Sequence, residues 1–256
     1  HYQSKVETKK IIKILKDNNI YHIDGAESYK IFENNKFDYL EGSKIDTKVL
    51  LRDISNYKNL KLKMKKYLDK KNKVDTLFIH DGDNILNKSE SNKLDILYKL
   101  KKKNIIKNVG ISIYNFKILK KIILRLDIDV IQVPYNIVDR RLEKFQKLLL
   151  KKNIKIYIRS IFLQGSLLKK VDKIRELSSI YQKIRIFSKK NKQSNFDVCL
   201  NFVLNNVLVD KIIVGVRNSL EMRQLINFKP QFNLNLIKFK KNEKLFAQNP
   251  SKWKIK

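Results

Sequence analysis

The stretch Val74-Asp75-Thr76-Leu77-Phe78-Ile79-His80, followed at once by Asp81-Gly82-Asp83, decides the architecture. An apolar run that stops on a histidine, with polar turn residues behind it, reads as a buried strand carrying one titratable side chain at its carboxyl end. Outward from it the chain repeats one arrangement, a short apolar strand, a polar loop and a Lys-rich amphipathic helix. That repeat predicts an α/β fold of the TIM-type (β/α)8 class, in which the carboxyl ends of the strands form one functional face.

Length supports a single domain spanning 1–256, with 229–256 as a basic tail wrapping the surface. One cysteine, Cys199, excludes an intrachain disulfide framework and any Cys-rich zinc site; in DVCLNFVL it reads as a small buried hydrophobe. The net charge of +32 comes from 57 Lys and Arg against 25 Asp and Glu. The lysines are spread over nearly every predicted helix, with no aromatic platform between them, so the reading is of solvated faces and a generally anion-attracting field rather than specific nucleic-acid binding. No apolar run approaches the roughly 20 residues of a membrane span, and no signal peptide is visible, so a cytoplasmic protein is expected.

Strands are predicted to start near residues 20, 48, 74, 108, 129, 154 and 211, mostly one βα unit apart. The strand near 48 is taken as Lys48–Leu51, and a continuous helix is expected over Arg140–Lys152. Seven strands are visible where a closed barrel has eight. Either the first strand is absent from this chain, or His1–Val6 serve poorly in its place.

Strand ends converge in such a fold whatever their separation in sequence. In order they carry Asp24 with Tyr29 five residues on, Arg52, His80, Ser112, Gln132, Arg159 with Ser160, and Gly215 with Arg217 and Asn218. An acid, a phenol, a cation and an imidazole on three neighbouring strands suit proton transfer to a carbonyl oxygen. The later strands offer amide, hydroxyl and cationic groups suited to a phosphorylated cofactor. Each has a plainer reading: Asp24 as a turn cap, Tyr29 as a loop aromatic, Arg52 as half of an ion pair with Asp24 or Asp53, Arg217 as a solvated loop residue. His22, two residues before Asp24, can face the interior with no site role.

Six segments together resemble the aldo/keto reductases: IDGAESY (Ile23–Tyr29), DTLFIHD (Asp75–Asp81), VGISIYNF (Val109–Phe116), DVIQVPYNIVDRRL (Asp129–Leu142), RSIFLQGSLL (Arg159–Leu168) and IIVGVRNSLEMRQL (Ile212–Leu225). The Arg159 segment is similar to members found among polysaccharide and nucleotide-sugar genes. The resemblance implies reduction of an aldehyde or ketone, sugar-like in the favoured case, by hydride from NADPH or NADH, with no metal. By position, Tyr29 is then the general acid, Asp24 the carboxylate that orders its neighbours and His80 the orienter of the carbonyl. Ser112 and Gln132 match the holders of the nicotinamide carboxamide, while Ser160, Gln164 and Gly215–Asn218 match positions along the cofactor phosphates. Arg217 suits an adenosine phosphate by its bidentate fork, which favours NADPH.

A phenol with an ordinary pKa near 10 needs a nearby cation for proton exchange at neutral pH. In this reading the family's lysine falls on Arg52, because Lys48 would lie roughly 13 Å away, four residues at about 3.3 Å each, at the other end of the strand. Gly25, Lys30 and Ile113 also depart from the family pattern, and Arg159 stands where an aromatic commonly stacks on the nicotinamide. These departures keep a second reading open: a barrel that retains the fold without catalysis, as a binding or regulatory protein. The substrate and the oligomeric state are not legible.

Overall fold

Short β-branched runs separated by Lys-rich amphipathic stretches become strands and helices in a computed structural model that describes residues 4–26, 42–68, 73–170 and 175–231. In chain order the first elements are α1 (Lys5–Asp17), β1 (His22–Asp24), β2 (Lys44–Val49), α2 (Tyr57–Leu68), β3 (Lys73–Ile79), α3 (Ser91–Lys102), β4 (Ile106–Ser112) and α4 (Phe116–Arg125). They are followed by β5 (Val130–Pro134), α5 (Gln146–Lys151), β6 (Lys155–Arg159), α6 (Arg175–Lys190), α7 (Asn195–Leu204), β7 (Lys211–Ile212) and α8 (Ser219–Ile226). Strand order follows the sequence, β1-β2-β3-β4-β5-β6-β7. Among the described residues no strand precedes α1, and no helix is long and apolar enough to cross a membrane.

The chain divides into two compact units. The first comprises His1–Ile131 with Gly215–Asn227. Its strands β1 to β4 pair parallel, neighbour to neighbour. Helix α1 starts on the hydroxyl of Ser4, which accepts the Glu7 amide at 3.2 Å, and buries Ile11, Ile12 and Ile14. It packs on α8, whose first residue Ser219 donates its backbone N–H to the Glu7 carboxylate at 2.8 Å. The sheet is buried on both faces, as parallel strands with helical crossovers require: Val74, Leu77, Phe78 and Ile79 of β3 and Val109 and Ile111 of β4 are all shielded. A Cβ placed on Gly110 would come within 2.4 Å of the Phe78 ring, so the glycine is what lets that ring lie across β4.

Between β2 and β3 the register slips by one residue. Ile45 opposes Val74 but Asp46 opposes Thr76, which leaves Asp75 as the extra residue of a bulge.

The second unit comprises Gln132–Val214 with Phe228–Lys256. Here β6 and β7 pair parallel. Helix α7 is buried along most of its length and opens on a capping box, in which Ser194 and Asp197 each satisfy the other's backbone N–H. The continuous helix expected over Arg140–Lys152 is instead a 3-10 turn, Arg141–Lys144, and the short α5. Arg140 donates to Glu143 three residues on at 2.6 Å, a spacing that matches the three-residue turn. The tail from 232 onward lies outside the described residues.

Candidate active site

In the first unit, alternation along the strands decides which side chains share a face. His22 and Asp24 of β1 lie two residues apart, as do Asp46 and Lys48 of β2. Lys48 is almost wholly buried, its side chain 4% exposed, and its ammonium sits on the Asp24 carboxylate, 2.6 Å from each oxygen. The same ammonium donates to the carbonyl of Gly25 at 3.1 Å and lies 5.6 Å from the centre of the Phe78 ring. Three acceptor oxygens and an aromatic face therefore fix one buried cation at the carboxyl end of β2.

This corrects the expectation for the second strand. β2 runs over Lys44–Val49, not Lys48–Leu51, so its carboxyl end lies at Lys48 and Val49. Arg52 belongs to a 3-10 turn beyond the strand, Leu51–Asp53, with its side chain 81% exposed and its nearest described carboxylate, Asp53, at 4.0 Å. The apolar residues Val49, Leu50 and Leu51 suggested a strand that continued through them. Leu51 is buried by the turn that caps the strand. The alternation Lys44-Ile45-Asp46-Thr47-Lys48-Val49 was the signal for the correct placement.

His80 follows β3 directly, is half-buried, and donates its backbone N–H to Val49 O of β2 at 2.8 Å. The residues behind it hold it there. Asp81 accepts the Leu51 amide at 2.8 Å, and Asp83 accepts the amides of Tyr114 and Asn115 at 3.1 and 3.0 Å. Gly82 between them is so close to β4 that a Cβ would fall 2.8 Å from the Ser112 carbonyl oxygen and 2.2 Å from Ile111. Ser112 itself is buried at the carboxyl end of β4, and Ile113 is buried after it. Tyr29 and Lys30 lie outside the described residues.

At the start of α8, Asn218 caps the helix by accepting the Glu221 amide at 2.9 Å. Arg217 is engaged by the same glutamate: its guanidinium lies 2.8 and 2.5 Å from Glu221 Oε1, and its backbone N–H donates to Oε2 at 2.7 Å. Burial opposes ionisation of Glu221, but the bonds from Arg217 outweigh it and hold the carboxyl below the usual range. No neighbouring atom lies where a Cβ on Gly215 would project.

The second unit holds the other expected positions. Gln132 on β5 is fully buried. Arg159 ends β6 and gives its carbonyl to the Tyr135 amide at 3.2 Å, and Ser160 gives its carbonyl to Asn136 Nδ2 at 3.0 Å. Ser160, Leu163, Gln164 and Gly165 all have positive φ, between 48° and 82°, which folds Ser160–Gly165 into a tight left-handed turn.

Taken one by one, these donors have the chemistry that a nicotinamide dinucleotide calls for. Ser112 is a buried hydroxyl at the carboxyl end of β4 and Gln132 a buried amide in the middle of β5, groups that can each pair with a carboxamide, and Arg217 just before α8 can pair with a phosphate.

Comparison with known proteins agrees with the fold. The chain matches the family described as "Aldo/keto reductase family" over residues 1–241. Its fold is similar to that of the aldo-keto reductase AKR11C1 from Bacillus halodurans in its holo form, with a TM-score of 0.72 at 18% identity over 90% of this chain and 85% of that one. It is also similar to the glycerol dehydrogenase AKR11B4 from Gluconobacter oxydans, with a TM-score of 0.66 at 14% identity over 90% and 83% of the two chains. A third likeness is to the thermostable aldo-keto reductase Tm1743, solved with the inhibitor epalrestat, with a TM-score of 0.62 at 20% identity over 88% and 84%. No curated protein sequence matches the chain.

Proposed function

The chain belongs to the aldo/keto reductase family, with the α/β barrel fold of that family, and on that footing we propose that it is an NADPH-dependent reductase of a small or sugar-like aldehyde or ketone. The observation that carries the reading is Lys48 buried against Asp24. In the proposed mechanism a bound nicotinamide cofactor supplies the hydride. Tyr29 gives its phenolic proton to the carbonyl oxygen as the alcohol forms. Lys48 provides the cation that eases loss of that proton, Asp24 holds the ammonium in place, and His80 orients the carbonyl.

Ser112 and Gln132 would hold the carboxamide of the cofactor, with Arg159, Ser160, Gln164, Gly215 and Asn218 along its length. Arg217 would exchange Glu221 for the adenosine phosphate, which favours NADPH over NADH. The family's concern with carbonyl compounds supports the substrate class, and the likeness to a glycerol dehydrogenase supports a polyhydroxylated member of it. The non-catalytic alternative drew first on an arginine in place of the active-site lysine. Lys48 on Asp24 weakens that ground, while Gly25, Lys30 and Ile113 remain as departures.

Titration of the protein with NADPH and NADH, followed by nicotinamide fluorescence, tests the reading. Saturable binding with turnover on a panel of sugar aldehydes and ketones is the expected result. Failure of both cofactors to bind would overturn it, and binding without turnover would favour the non-catalytic alternative.

A further inference from the structure

Away from the Asp24 and Lys48 pair, toward the amino ends of the same strands, three potential ligands meet. His22 Nε2 lies 2.8 Å from Asp46 Oδ2 and 3.9 Å from Asp75 Oδ2. One donor atom from each of the three residues lies within 4.8 Å of the others. They come from three consecutive parallel strands, and each arrives for a local reason. His22 precedes Asp24 by two residues on β1 and shares its face; Asp46 precedes Lys48 by two on β2 and shares that face as well. Asp75 is the extra residue of the β2–β3 bulge, and a bulge re-aims the side chain it carries.

One buried oxygen of the cluster lacks a hydrogen-bond partner. Asp46 is 2% exposed, and its Oδ1 is shielded from water with no hydrogen-bond donor in reach. A shielded carboxylate oxygen with no donor is costly, and here a second carboxylate stands a few ångströms away. Other described groups beside the cluster include Asn108, whose amide lies 3.2 Å from the Asp75 carbonyl and 3.5 Å from its Oδ2, and Lys107, whose ammonium is 3.9 Å from Asp75 Oδ1 on a side chain 69% exposed. Neither reaches Asp46 Oδ1. The His22 side chain is 25% exposed, so the cluster has an approach from solvent.

We propose that His22, Asp46 and Asp75 bind a divalent transition-metal ion of the zinc class, which ties the amino ends of β1, β2 and β3 together. Two carboxylates balance a dipositive ion, and Asp46 Oδ1 gains the positive partner it lacks. The imidazole nitrogen selects a borderline ion over Mg2+ and Ca2+, which take oxygen ligands. Zinc–nitrogen and zinc–oxygen bonds of about 2.0–2.2 Å with tetrahedral angles place donors roughly 3.4 Å apart, a spacing that falls between the 2.8 Å of the His22–Asp46 pair and the 4.8 Å within which all three donors lie. Three protein ligands leave a fourth position for water. The site is separate from the proposed reduction chemistry and stands or falls independently of it.

The test uses the full chain, free of any affinity tag, stripped with chelator and shown to be folded by circular dichroism. Zn2+ is titrated in competition with a chromophoric chelator, and Co2+ is added to a second sample to report ligation by its visible absorption. One equivalent of Zn2+ is expected, resistant to a large excess of Mg2+, with a rise in Tm. His22→Gln and Asp46→Asn should each weaken binding at least about tenfold and abolish the rise in Tm, and His80→Ala, which leaves the cluster intact, should change neither. Should Asp46→Asn fail to fold, His22→Gln at the partly exposed ligand carries the comparison. Absence of a bound equivalent in the wild-type chain, or binding that is unchanged in His22→Gln, would overturn the proposal.

Discussion

Lys48 is the residue on which most else depends, because it is a buried cation whose partners are fixed by two different strands. Replacing it with methionine keeps the volume but leaves the Asp24 carboxylate, 15% exposed, without its counter-ion. Loss of about 3 kcal/mol of stability is expected from urea unfolding, with reductase turnover abolished. The double variant Lys48→Met with Asp24→Asn should regain part of the stability and none of the turnover, which separates the structural from the chemical role. Arg52→Ala, in contrast, should leave turnover within about twofold, since an exposed side chain 4.0 Å from its nearest described carboxylate contributes little. At the proposed phosphate contact, Glu221→Gln releases Arg217 from its carboxylate; NADPH should bind several-fold more tightly with NADH unchanged, measured by the same fluorescence titration. The strand-end positions of Asp24 and His80 were legible in the sequence because each ends an apolar run. The burial of Lys48 at the end of β2 was not, because in KIDTKV both faces of the strand are buried and the polar residues looked like loop, while the apolar residues that followed looked like strand.

At the scale of elements, helix starts and strand cores were the readable part. The helices over 116–126 and 195–205 and the strands near 108, 129 and 154 lie within a few residues of where periodicity put them. What periodicity does not carry is an interruption of its own period. The bulge at Asp75 changes register without changing composition, and the 3-10 turn Arg141–Lys144 has the same residue types as a helix. The glycines are another such case, since their reason lies on the neighbouring strand. Gly110→Ala drives a methyl group toward the Phe78 ring from 2.4 Å, against a neighbour that also carries Lys48 over its face. Destabilisation of about 1–3 kcal/mol is expected in urea, together with reduced turnover as the ring shifts the ammonium.

At the scale of the whole molecule, the single cysteine offers a direct readout. Cys199 is fully buried in α7, and burial alone pushes its thiol up from its ordinary value of 9.0 to about 12. A thiol reagent at pH 8 should therefore leave the native protein unmodified for as long as it stays folded, and modification should track unfolding. The sign of the linkage follows: the unfolded chain loses the thiol proton near pH 9 while the folded chain keeps it to about 12, so this group's contribution is fully present below pH 9 and is lost as pH rises through that window. Unfolding midpoints of the wild type and Cys199→Ala, compared across that range, check it. The lysine-rich composition read as solvated helix faces, whereas the division into two compact units left no mark in the sequence, since no Pro-, Gly- or Ser-rich run marks the crossings at Ile131–Gln132, Val214–Gly215 and Asn227–Phe228.

The turn Asp81-Gly82-Asp83 bears on how such a protein could be re-engineered. Its two carboxylates are moored to backbone on opposite sides and its glycine is wedged against the Ser112 carbonyl, so an inserted residue would break three moorings and turn His80 away. Loop grafting aimed at a new substrate should therefore leave this turn untouched and draw its variation from other loops, with Asp81–Asp83 kept as the fixed post beside which they are changed.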